Sequence, residues 1–142
     1  MDLMNKGIQD QLNNLWGTVI TDVQVDLLND NLTIQLEIHE DGRINFQTLK
    51  FIDVAAFYYV KDNLENRFNF YDREKVYYLE LTTIDHVENK KYDFQIKSTS
   101  DKEWSAQYNT DANIVIEIWE SVLFIEARRI QLGDQVFELK KI

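Results

Sequence analysis

The stretch Asn113 to Leu132, NIVIEIWESVLFIEARRIQL, narrows most what this chain can fold into. Its apolar residues recur at every second position, the interval at which strand side chains return to one face of a sheet. Glu120 and Ser121 interrupt the run, so it reads as a hairpin with Ile114, Ile116 and Ile118 across from Ala127, Ile125 and Leu123 on a core-facing side. The other side carries Val115, Trp119, Val122 and Phe124 beside Glu117 and Glu126. A half-apolar surface of this kind is either covered or docks a partner. The expected cover is a helix at the N-terminus.

That helix is legible over residues 1–16. Met4, Ile8, Leu12 and Leu15 recur at helical spacing, Leu3, Gln11 and Trp16 flank the stripe, and Gly17 stands where a helix end favours a left-handed residue. Gly7 inside it costs about 1 kcal/mol relative to Ala, so the helix depends on docking its stripe.

From Val19 the period changes to two. Val19, Val23 and Val25 alternate with Asp22, Gln24 and Asp26, and Leu32, Ile34, Leu36 and Ile38 alternate with Thr33, Gln35 and Glu37. Asn29, Asp30 and Asn31 suit the positive φ of a tight turn between two strands. Such pairing sets Asp22 opposite Glu37 or His39, and like charges there call for a balancing cation. A turn at EDGR leads into INFQTLKFIDVAAFYYV, one bent strand or two short ones. KVYYLELTTIDHV and KYDFQIKS read as a pair joined across ENKK, Ser100 to Glu103 has capping-box spacing, and LGDQVFEL closes as a last hairpin. The expectation is one α+β domain over 1–142, with 18–142 forming about seven to nine mostly antiparallel strands, curved or sandwich-like, beside one N-terminal helix.

A chain of 142 residues, 44% hydrophobic and 13% aromatic, suffices for one core. With no cysteine it has no disulfide framework, thiolate nucleophile or zinc-cysteine site. The N-terminus lacks the basic and apolar regions of a signal peptide, and nowhere do eighteen apolar residues run together, so a soluble cytoplasmic protein is expected. A net charge of -10 argues against nucleic acid and anionic membrane and favours a cationic partner. Gly7 to Gly42 holds seven acidic residues and no Lys or Arg, and Glu103 to Ala127 holds five and none, whereas elsewhere fifteen bases meet thirteen acids. The excess therefore belongs to two segments.

Neither histidine lies in a context that predicts a serine partner. His39 and His86 end different strands, where Asp41 or Asp85 would have to join them to hold a metal, and their spacing gives no support for one. Carboxylate pairs such as Glu40 with Asp41, or Glu117 with Glu120, are expected by coincidence among twenty-five acids. There is no P-loop and no GxGxxG turn. No catalytic residue, metal site or cofactor is expected, and the chain is read as no enzyme. Rings crowd one region, from Phe57, Tyr58 and Tyr59 to Tyr77 and Tyr78, and strand neighbours such as Tyr58 and Tyr59 point to opposite faces.

The words MDLMNKGIQDQLNNLWGT, LEIHEDG, VAAFYYVKDNLENR, YYLELTTID, EWSAQY and IVIEIWESVLFIEA resemble the YxiG-like family of small Bacillus-type proteins, over nearly the whole chain. The resemblance implies likeness to immunity proteins of polymorphic-toxin systems, cytoplasmic domains that bind and neutralise a bacterial toxin. It transfers no functional residue. Charge and surface reasoning nominates Asp22, Asp26, Glu37, Glu40 and Asp41 to attract a cationic protein, with Trp119 as the apolar anchor. A small-ligand binder with an aromatic-lined cavity in the AAFYY to VYYLEL region is the alternative. Oligomeric state is not legible.

Overall fold

The computed structural model describes residues 3–72, 74–88, 91–98 and 100–140, with side chains from residue 7 onward. In chain order the elements are α1 (Leu3–Asn13), β1 (Thr18–Asp26), β2 (Asn31–Glu40), β3 (Arg43–Val60), β4 (Leu79–His86), β5 (Tyr92–Phe94), α2 (Lys102–Ala106), β6 (Thr110–Ala112), β7 (Ile114–Ile118), β8 (Ser121–Leu132) and β9 (Gln135–Glu138). The strands pair antiparallel in the order β3-β2-β1-β4-β7-β8-β9, and β8 pairs again with β3. Six strands thus close into a barrel, where a curved or sandwich-like sheet was expected; the mostly antiparallel strands are as expected. Helix is minor.

Closure follows from two long strands that bend. The 18-residue β3 pairs with β2 as far as Ile52 and with β8 from Leu49 onward. Its register on β8 shifts between Val54 and Ala56, just after Asp53, whose φ is +56°. An extra residue in one strand increases local twist and turns the sheet back on itself. Asp53 is also held to Arg129 on β8 by a 2.8 Å ion pair. The stretch expected as one bent strand or two is one bent strand.

The interior is built from alternate residues, including Ile34, Leu36, Leu49, Phe51, Ile84, Ile116 and Ile125, each 1% exposed or less. Ile8, Leu12 and Leu15 of the N-terminal segment belong to the same core cluster. α1 therefore seats its stripe at the end of the barrel where β1 starts and β4 stops, and not over the outer face of β7 and β8. The side chains of Leu3 and Met4 lie outside the described residues. The cover of that outer face is a separate ribbon of β5 and β6: Tyr92 and Phe94 pack on Phe124 with ring centroids 5.4 and 4.8 Å apart. Tyr58 completes the stack on Phe94 at 5.4 Å.

Three local expectations change. Ile114 and Ile116 face Ile125 and Leu123, because the β7–β8 turn is Trp119 and Glu120 rather than one step later. β4 does not pair with β5, since its edges are already taken by β1 and α1 on one side and β7 on the other. The cap of α2 is Asp101, whose carboxylate accepts from the Trp104 amide at 2.9 Å, rather than Ser100. Gly17 takes the positive φ expected of it, and the expected turns at Gly42 and Gly133 also have positive φ.

Candidate functional site

The barrel has one weak seam. β1 pairs with β2 along its whole length, but with β4 only through Thr18, Val19 and Ile20. On one side of these three pairs the gap is filled by a side chain. Gln9 of α1 donates from Nε2 to the Ile84 carbonyl at 3.2 Å and accepts on Oε1 from the His86 amide at 2.9 Å, as a neighbouring strand would. On the other side nothing comparable occurs. Thr21 to Asp26 are all exposed, and among the described residues no strand pairs with that edge.

The barrel is consequently open there. Val23 and Val25 are 43% and 44% exposed, although their cross-strand partners Ile34 and Leu32 are 0% and 1% exposed. A cavity of about 540 Å³ lies beside the seam, lined by Val23, Tyr59, Lys61, Tyr71, Tyr78 and neighbours. Strand alternation sends Tyr58 out to the β5–β6 ribbon and Tyr59 in toward this mouth. The Lys61 ammonium is held by the Asn69 carbonyl at 2.6 Å and sits 4.6 Å from the Tyr71 ring centroid. Its charge is thus satisfied within the rim. Trp119 is not part of that lining but packs against two of its rings, 5.6 Å from Tyr71 and 5.9 Å from Tyr78.

Asp22, Asp26 and Glu37 lie along the outer face of the β1–β2 hairpin. Val19 has Glu37 directly across on β2 and Glu80 directly across on β4, which places the two glutamates about 10 Å apart, two strand spacings. Asp22 follows Val19 on the same face and also borders the cavity. Asp26, at the end of β1, is engaged by its own turn: Asn29 donates to it from side chain and backbone, and the Leu28 amide donates as well. The Asn29 side-chain bond, reinforced by these amides and by the charge of Lys50 against a small opposing effect of burial, holds the Asp26 carboxyl below its ordinary 3.8.

A model of the YxiG-like protein family matches residues 8–137. The chain belongs to the YxiG-like family. No curated protein matches its sequence. In this YxiG-like chain the match runs from the buried stripe of α1 through most of β9, so the barrel strands, the seam and the mouth all fall within it.

Within that frame the six nominated residues separate: Asp26 is taken up by its own turn, and the other five fall into three groups. Asp22 and Glu37 meet on one face, where the sequence reading missed Glu80, which becomes their neighbour only because β4 pairs with β1. Glu40 and Asp41 sit at the β2–β3 turn, nine residues along β2 from Asn31 and so about 30 Å from Asp26. Trp119 is a turn residue with φ +54°, its amide donating to Thr82 Oγ1 at 2.9 Å, and its ring packs on Tyr71 and Tyr78 of the mouth, away from Asp22 and Glu37. Asp22 lies opposite Gln35 instead of Glu37 or His39, because the hairpin closes with Asp26 across from Asn31 and the unbroken register from that pair brings Gln35 to Asp22. His39 stands 3.7 Å from Glu37 on the outer face, whereas His86 shares the inward side with Ile114 and bonds to the Leu139 carbonyl at 3.3 Å. Among the described residues no group of three His, Cys, Asp or Glu is placed to hold a metal, and no helix is long and apolar enough to cross a membrane.

Proposed function

We propose that this protein is a non-enzymatic binding module that captures a cationic protein on the outer face of its β1–β2 hairpin, in the manner of an immunity protein that neutralises a bacterial toxin. One observation carries the reading: residues 18–40 hold no Lys or Arg, while Asp22, Asp26 and Glu37 fall on the outer face of their strands, opposite the side of Ile34 and Leu36. Glu80 adds to it from β4. A rigid anionic surface accelerates encounter with a basic partner and disfavours acidic ones. The exposed Leu27 and Leu28 at the hairpin tip and the rings of the mouth supply apolar contact beside the charge. The test is co-expression with the product of the adjacent gene. The reading expects the two to co-purify and the cells to survive that product; a neighbour that neither binds nor is neutralised ends it.

The mouth cavity favours a second reading, a small organic ligand held among Tyr59, Tyr71 and Tyr78. Its volume lies within the range of ordinary ligand pockets. Native mass spectrometry of the protein as isolated separates the two: a retained small molecule supports this reading, and a bare chain mass the first.

A further inference from the structure

The open seam suggests how a partner is held, a question that rests on the reading of the chain as a binder of a cationic protein. A strand edge left unpaired presents amide and carbonyl groups at fixed spacing, and an incoming extended segment completes them. In a closed barrel such an edge is the exception. Here the seam is mended on the β4 side by Gln9 and left open on the β1 side over Thr21 to Asp26. Six residues at strand rise give about 20 Å of free edge, enough for a short added strand. Space exists for it along the first half of that edge, where the cavity lies against Thr21, Asp22 and Val23 on one wall and Tyr77 and Tyr78 on the other, and a second hollow of about 180 Å³ borders Val25 and Asp26.

We propose that β1 takes up an extended segment of the partner as an additional strand between itself and residues 76–79. The alternation of β1 then specifies the segment. Residues opposite Val23 and Val25 face the mouth and are apolar. Those opposite Asp22 and Asp26, four positions apart on the outer face, are Lys or Arg. A second copy of this chain is a poor occupant, since edge-to-edge pairing of two β1 strands would set Asp22 and Asp26 of one against those of the other. The open mouth explains in the same stroke why two inward-facing valines stay half exposed.

The probe is the synthetic peptide acetyl-Thr-Lys-Val-Thr-Val-Lys-Thr-amide, compared with the same peptide N-methylated at alternate residues. N-methylation keeps the side chains and charges but removes the amide donors of one strand edge. Titration followed by amide hydrogen exchange is expected to slow exchange within Thr21–Asp26 by about tenfold at saturation, as a newly paired strand does. The N-methylated peptide is expected to bind at least about tenfold more weakly. Equal binding of both peptides, weakened by salt, overturns strand addition and leaves the electrostatic reading in place. Binding by neither, or protection confined to β2 and β3, overturns strand addition as well. Loss of binding to Asp22→Asn, with folding intact, supports the placement of the peptide lysine; unchanged binding contradicts it.

Discussion

At the level of single residues, polar side chains do the work of missing backbone. Asn113, 6% exposed, donates to the Ala127 carbonyl at 2.7 Å and accepts from the Ala127 amide at 3.0 Å, closing the place where β8 passes from pairing with β7 to pairing with β9. Asn113→Ala leaves both buried groups unmatched and is expected to cost about 2–4 kcal/mol in urea unfolding, whereas a loss below about 0.5 would mean that water replaces the amide. Asp26 behaves differently because it is exposed. Its folded pKa is depressed, so what it adds to stability is complete above the ordinary carboxylate value of 3.8 and fades as pH falls toward the folded value. Asn29→Ala is expected to return the Asp26 titration upward toward 3.8, read from its carboxyl carbon shift by NMR; an unmoved midpoint would assign the shift elsewhere. Neither role was visible in the sequence. Asn113 looked like the first residue of a strand, and Asp26 like one more acid on a solvated row, because both depend on which residues a turn or a third strand brings within 3 Å.

Elements were more legible than their partners. Period two in Leu32, Ile34 and Leu36, glycines at turns, and the spacing of Ile8, Leu12 and Leu15 are local signals, and local signals identified the N-terminal helix and the β1–β2 and β7–β8 hairpins, but not where β3 bends. Pairing between distant strands has no such signal. The meeting of β4 with β1, the return of β8 to β3, and the ribbon that covers Phe124 are settled by closure and by which apolar face remains unburied, and these left the sequence reading with a sheet where there is a barrel. The centre of the β1–β2 turn was equally hidden: with Asp26 across from Asn31, the partner of Asp22 is Gln35, two residues short of Glu37. For α1 the docking argument yields a direct check. Gly7 is exposed and a Cβ added there would meet nothing within 4 Å, so Gly7→Ala removes only a backbone-entropy cost. It is expected to stabilise by about 0.5–1 kcal/mol. A melting temperature raised by about 2–4 °C agrees with this, and an unchanged or lowered one contradicts it.

For the molecule as a whole, the barrel separates a filled, plugged end from an open, ring-lined one, and its negative charge runs between them along β1 and β2. The candidate surface is smaller than the row of acids in the sequence implied: Asp22, Glu37 and Glu80 converge around Val19, while Glu40 and Asp41 stand at the far tip. That contraction makes the electrostatic account easy to test with three isosteric changes on exposed or half-exposed positions. The deciding measurement is the affinity of the co-purified partner for the native protein and for the combined Asp22→Asn, Glu37→Gln and Glu80→Gln variant, from about 50 to 500 mM salt. The account predicts that native affinity falls by about tenfold or more across that range and that the variant begins weaker with a shallower dependence. Tight binding that ignores salt and is equal in the two proteins would contradict it.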